Sequence, residues 1–237
     1  MWVGARLLAP RLRPAARARL MGYWADDLLR ALAIDVRQHG APVADATLLV
    51  ANHVSWLDTY AIHTSVAARF VAKSEVGTWP VIGTIARRFG TIFIRRGCIR
   101  SAARTVGALS EALCHGESVA AFPEATTSEG RELLPFFSAM FQAAVLTGAR
   151  VQPVALRYRD GVGRCTTAAA YVGEMSILDS LRLLVREPRL TVEVVFCPPI
   201  DPYGLSRREL AARSREAIAG ALGLATETAP ASLRRAA

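Results

Sequence analysis

From Ala46 onward the chain alternates short apolar runs with stretches of helical periodicity, the pattern of β-α units laid into a largely parallel sheet. The runs predict strands over 47–51, 69–73, 91–95, 118–122, 151–157 and 190–197. Between the third and fourth, Ala102, Val106, Leu109 and Leu113 recur at helical spacing, with Arg100, Arg104, Glu111 and Glu117 off the stripe. That periodicity predicts a helix covering the sheet. A last helix is expected over 206–222, capped by Ser206 and turning Leu210, Ala217, Ile218 and Leu222 inward. Thr226–Ala237 lacks any period and is expected to be a disordered tail, and no internal repeat is found.

The first 35 residues follow another pattern. Arg6, Arg11, Arg13, Arg17 and Arg19 are interleaved with Trp2, Leu7, Leu8, Leu12, Leu20, Met21, Tyr23 and Trp24, and Pro10 and Pro14 punctuate them. This is the composition of a basic amphipathic helix lying at a membrane surface, with a helix packed on the domain as the equal alternative. The segment lacks an uninterrupted signal-peptide core and is expected to be retained. The expected organisation is therefore a membrane-surface segment over 1–35, a single α/β domain over 36–225 with a largely parallel central sheet flanked by helices, and a tail over 226–237.

Composition sharpens this picture. The chain is 52% hydrophobic and carries a formal charge of +9, from 29 Lys and Arg against 20 Asp and Glu. So apolar and basic a chain suits an anionic bilayer or a phosphorylated substrate. Nucleic acid is not expected as a partner, because no recognition-helix pattern, aromatic RNA-binding string or zinc-ligand spacing occurs. No run of about 18 uncharged apolar residues is present, so no spanning helix is expected. Cys98, Cys114, Cys165 and Cys197 are scattered, with neither a CxxC pair nor a secreted-type framework, which fits a reducing cytoplasm.

The densest candidate chemistry is Asn52-His53-Val54-Ser55-Trp56-Leu57-Asp58, directly after the strand Leu48–Ala51. A histidine at a strand's carboxyl end sits where open α/β sheets build their sites. To take a proton from an alcohol it needs one ring nitrogen free and the other held as a donor, and Asp58 can hold it by folding back across a turn. Such a string alone is more often a loop histidine and a helix cap. Phe122-Pro123-Glu124-Ala125-Thr126-Thr127-Ser128 follows another apolar strand and reaches the same sheet edge. Between the two lies Gly90-Thr91-Ile92-Phe93-Ile94-Arg95-Arg96, a strand ending in two guanidiniums that suit phosphate oxygens. No Gly-x-Ser-x-Gly elbow occurs, Gly161-Val162-Gly163 lacks the third glycine of a dinucleotide fingerprint, and His39, His63 and His115 show no ligand-like pairing. No metal is expected.

In this order, NHVSWLD, GTIFIRR, FPEATTS and VQPVAL resemble the four motif blocks of the glycerophospholipid acyltransferase superfamily, in particular 1-acylglycerol-3-phosphate acyltransferases and related bacterial lysolipid acyltransferases. The resemblance covers roughly residues 46–200. It implies that a fatty acyl group passes from an acyl thioester, carried on coenzyme A or acyl carrier protein, to a lysolipid hydroxyl, with no cofactor. The acceptor it suggests first is 1-acyl-glycerol-3-phosphate, giving phosphatidate. By the same resemblance His53 is the general base and Asp58 its orienting partner. Arg96 with Arg95 beside it, Glu124, Thr126, Thr127 and Ser128 fall on acceptor-binding blocks, and Pro153 on the block tied to the acyl pocket. Lys73, at the end of a predicted strand, is a further candidate for phosphate. The work is expected at the cytoplasmic face of the inner membrane, peripherally or monotopically bound. Two positions depart from the family pattern: Ala125 stands where glycine is usual and Thr127 where many members have arginine. The threonine-rich block followed by Leu134-Pro135-Phe136 resembles lyso-ornithine-lipid acyltransferases, whose acceptor has no phosphate. A lipid-binding relative without turnover is the non-enzyme alternative.

Overall fold

In the computed structural model, residues 14–78, 82–88, 90–94 and 99–225 are described. A first helix, α1 (Pro14–Ala31), leads into strand β1 (Ile34–His39), then β2 (Thr47–Ala51), α2 (Asp58–His63) and β3 (Ala68–Lys73). They are followed by α3 (Ile82–Arg88), β4 (Ile92–Ile94), α4 (Ile99–Cys114), β5 (Ser118–Ala121) and α5 (Gln142–Thr147). The chain closes with β6 (Arg150–Arg159), α6 (Ile177–Arg186), β7 (Leu190–Phe196) and α7 (Arg207–Leu222).

The strands form one sheet in the order β1-β7-β6-β2-β5-β3-β4. Every adjacent pair is parallel except β6 with β7. All six expected strands are present, within two residues at each end. The seventh, β1, was not foreseen, because its sequence IDVRQH buries only Ile34 and leaves Arg37, Gln38 and His39 exposed. Polar edge strands carry little periodic signal. The expected boundary at residue 35 thus falls inside a strand.

Both faces of the sheet are covered, as parallel sheets require. Along β2 the alternate residues enter different cores: Leu49 and Ala51 pack with Leu29, Ala61, Ile62 and Leu184, while Leu48 and Val50 pack with Leu109, Leu113, Ala144 and Leu210. α1, α2 and α6 therefore make one layer, and α4, α5 and α7 the other. α1 is fixed to its layer by Met21, Ala25 and Leu29, one residue per turn, all buried. Its Tyr23 is 71% exposed. Among the described residues no helix is long and apolar enough to cross a membrane.

α7 starts where its cap was expected. The Ser206 hydroxyl accepts the Glu209 N–H and the Glu209 carboxylate accepts the Ser206 N–H, a capping box, and Gly223 ends the helix at φ 64°. Leu210 and Ile218 are buried, with Ala217 and Leu222 partly so.

Candidate functional site

Sheet register explains why two distant loops meet. Val50 of β2 lies opposite Ala121 of β5 in a parallel pair, and His53 and Glu124 each follow three residues later. Parallel neighbours deliver both loops to the same edge. The Glu124 Oε1 accepts the main-chain N–H of His53 at 2.9 Å, and the His53 carbonyl accepts the Ser128 N–H at 2.8 Å. The third-block turn thus clasps the histidine's backbone from both sides.

Asn52 extends β2 beyond its last ladder bond. Its Oδ1 accepts the Leu156 N–H at 2.7 Å and its Nδ2 donates to the Leu156 carbonyl at 2.9 Å. The side chain thereby replaces a peptide unit, and the chain is free to turn at His53.

The His53 ring is 21% exposed and stacks on Phe122, centroids 3.9 Å apart and planes within 10°. Its Nδ1 lies 2.9 Å from Asp58 Oδ2. The same oxygen accepts the N–H groups of Val54 at 2.7 Å and Ser55 at 2.9 Å, while Oδ1 accepts the Tyr158 hydroxyl at 2.7 Å. An oxygen gathering so many donors is a carboxylate acceptor, so the imidazole nitrogen facing it carries the proton. In the neutral ring Nε2 is then the nitrogen without a proton, and among the described residues nothing bonds to it. Asp58 itself, at the first turn of α2, is 0% exposed.

Glu124 is 3% exposed, and its Oε2 accepts the Leu134 N–H at 3.0 Å. Arg215 of α7 closes the far side of this loop by donating to the carbonyls of Leu133 and Leu134. Burial raises the Glu124 carboxyl from 4.5 to about 7; the Asp58 charge adds to this, and the Leu134 and His53 N–H groups and Arg215 oppose it. A carboxyl whose folded value lies above its unfolded one holds its proton more tightly when folded, so its contribution is full below about 4.5 and is lost as pH rises to about 7. Denaturant unfolding is expected to show the parent losing stability against a Glu124→Gln variant across that window, at roughly 1.4 kcal/mol per pH unit at most. Parallel pH curves for the two proteins would count against it.

Ala125, the residue that replaces the usual glycine, adopts φ 62°, with its N–H bonded to the Phe122 carbonyl at 3.0 Å. The turn keeps the left-handed conformation, and the alanine carries about 1 kcal/mol of strain there. Thr127 donates its hydroxyl to the Tyr171 carbonyl, whose own N–H is bonded to Val54 O. Its side chain is turned to the loop after β6. Thr126 is exposed, and Ser128 Oγ accepts the Gly130 N–H at 3.2 Å. Gly130 has φ 75°, and a Cβ there would stand 3.0 Å from the Val54 side chain.

The other expected residues stand on separate strands of the sheet or outside the described residues. Lys73 is exposed at the end of β3, opposite Ile94 of β4, and Pro153 is buried in β6 opposite Val50. Arg95 and Arg96 lie outside the described residues. Two contacts of the His53–Asp58 pair had no expectation attached: Phe122 as the stacking partner and Tyr158 as a donor to the carboxylate. Phe122 stands inside a motif block. Tyr158 lies beyond the fourth block, on a strand that runs two residues past its expected end, and its signal was its place on the same strand face as Val154 and Leu156.

Residues 33–157 match the family described as Acyltransferase. A lyso-ornithine lipid O-acyltransferase of Pseudomonas aeruginosa is 38% identical over 223 residues, covering 93% of this chain and 84% of that protein. A 1-acyl-sn-glycerol-3-phosphate acyltransferase of Neisseria gonorrhoeae is 38% identical over 186 residues, 77% of this chain and 72% of the other. The fold is that of the 1-acyl-sn-glycerophosphate acyltransferase PlsC from Thermotoga maritima, with a TM-score of 0.69 at 23% identity over 94% of this chain and 87% of that one.

Proposed function

Since this chain belongs to the Acyltransferase family, we propose that it is a lysolipid O-acyltransferase in which His53 deprotonates the acceptor hydroxyl. The observation that carries the mechanism is the pairing of His53 Nδ1 with the buried Asp58, which leaves Nε2 as the proton acceptor. As the lipid hydroxyl attacks the thioester carbonyl, its proton passes to Nε2. Collapse of the tetrahedral intermediate expels the thiolate, which takes the proton from the imidazolium. The acyl group moves directly from sulfur to oxygen, without an acyl-enzyme. A base so placed contributes on the order of 10² to 10⁴ in rate. Glu124 serves this reading by holding the His53 backbone, since both its oxygens accept main-chain N–H groups of the two loops.

The first reading of the acceptor is 1-acyl-glycerol-3-phosphate, its phosphate gripped by Arg96 with Arg95 and Lys73. One observation favours a phosphate-free acceptor such as a lyso-ornithine lipid: Thr127 contributes no cation and spends its hydroxyl on the Tyr171 carbonyl. Incubating the purified protein with a labelled acyl thioester on coenzyme A or acyl carrier protein, and a panel of lysolipids with and without phosphate, separates the two. Acylation of the phosphate-bearing members alone supports the first reading, and of lyso-ornithine lipid alone the second. No acylated product from any acceptor sinks the proposal.

Such a substrate implies work at a bilayer; this reading assigns it to the cytoplasmic face of the inner membrane, with the basic N-terminal segment docking there. Removing residues 1–13 takes away Arg6, Arg11 and Arg13 and spares the packed Met21, Ala25 and Leu29. Binding to anionic vesicles is expected to weaken by about 1 kcal/mol for each surface-near arginine removed. Equal binding by both forms, in a vesicle sedimentation assay, would refute the docking role.

A further inference from the structure

Asp58 can support His53 only if Oδ2, and not a rotated carboxylate edge, faces Nδ1. Three donors converge on Oδ2, while the Oδ1 bond is made by the Tyr158 hydroxyl, 2.7 Å away. Tyr158 reaches this point because β6 runs past the end of β2. Val154, Leu156 and Tyr158 alternate onto the face covered by α1, α2 and α6, and α2 begins at Asp58 on that face.

We propose that Tyr158 is a positioning residue for acyl transfer: its hydroxyl pins Asp58 Oδ1, which fixes the carboxylate's rotation and keeps His53 as the Nδ1–H tautomer with Nε2 open to the acceptor hydroxyl. The inference rests on the reading of His53 as the base. The phenol is buried, and its ring packs in the core with Leu156 and Ala169, so its direction is set by packing rather than by the carboxylate. Burial, followed by the Asp58 charge, pushes its pKa well above the usual value, so it remains a donor throughout the working pH range. Without the hydroxyl, Oδ1 is left as a buried acceptor lacking this donor, and the carboxylate is free to turn toward other donors.

The Tyr158→Phe variant keeps the ring and removes only the oxygen. It is expected to lower kcat roughly tenfold, the loss of one hydrogen bond to a charged group, with KM changed less than twofold. Nitrogen-15 NMR of the His53 ring is expected to show a mixture of tautomers in place of the single Nδ1-protonated form. In an Asp58→Asn background the same change is expected to have no further effect on kcat, since Tyr158 acts only through the carboxylate. A kcat within twofold of the parent, an unchanged tautomer signature, or an equal loss in both backgrounds overturns the assignment. The His53→Ala variant, run in parallel, keeps the two readings apart. If it retains turnover the base assignment fails; if it is inactive while Tyr158→Phe is normal, only the role of Tyr158 fails.

Discussion

His53→Ala is expected to abolish acyl transfer to the extent a general base supplies it, a fall of 10² to 10⁴ in kcat, while the protein remains folded. The fold should hold because the loop's ties at this position are to the main chain: the Glu124 carboxylate and the Ser128 N–H contact the peptide groups of residue 53, whatever its side chain. What the substitution removes is the stack on Phe122, worth about 0.5 to 1.5 kcal/mol, and one of the donors to Asp58. Asp58 retains the Val54 and Ser55 N–H groups and the Tyr158 hydroxyl. A stability loss of about 1 to 2 kcal/mol is small beside the 5 to 15 kcal/mol of an ordinary domain. The imidazole acts on the proton in transit rather than on the resting substrate, so KM should change little. Radiolabel transfer and thermal unfolding on the same preparation check both halves, and turnover within a few-fold of the parent would remove His53 from the mechanism.

The sheet was legible because its inner strands are short, apolar and spaced by helical stretches, and β2 and β5 are buried runs that two-sided packing demands. Their order in space was not legible. Nothing in Thr47–Ala51 or Ser118–Ala121 states that they are neighbours, and the register that aligns Val50 with Ala121 arises only on folding. The shared edge was legible without that order, since each loop follows an apolar strand and parallel strands end on one edge, which put His53 and Glu124 there; the motif blocks added their roles. The polar strand β1 escaped notice because its partner β7, more than 150 residues away, supplies its pairing.

At the site, residue type gave the pair but not the scaffolding. His53 and Asp58 are read from a five-residue spacing that a single turn spans, a local fact. The Tyr158–Asp58 bond bridges residues 100 apart, and the Asn52–Leu156 pair 104, so no window on the sequence contains them. The resemblance implies an acceptor-binding role for Glu124 from its place in the third block, and that place could not anticipate that both oxygens would face backbone N–H groups. Thr127 marks the opposite limit: its departure from arginine was plain in the sequence, while the destination of its hydroxyl was visible only in the folded chain.

Two substitutions at Asp58 should separate the support of the loop from the support of the base. Asp58→Ala leaves two main-chain N–H groups and the Tyr158 hydroxyl without their acceptor in a site that is 0% exposed. Each such group costs about 1 to 3 kcal/mol, so a loss of several kcal/mol is expected. Asp58→Asn keeps the shape. Its amide oxygen can occupy the corner where the Val54 and Ser55 N–H groups converge, and its NH₂ can donate to the phenol oxygen, so a cost of about 1 to 2 kcal/mol is expected. Both variants lose the negative charge that stabilises the imidazolium formed during transfer, and both should lose roughly 10² to 10⁴ in kcat. Denaturant unfolding and single-turnover acyl transfer, measured together, test the distinction. If the carboxylate's charge matters to the reaction, Asn is nearly as inactive as Ala although it is several kcal/mol more stable. If Asp58 serves only to hold the loop, activity instead follows stability, and the asparagine variant works almost as well as the parent.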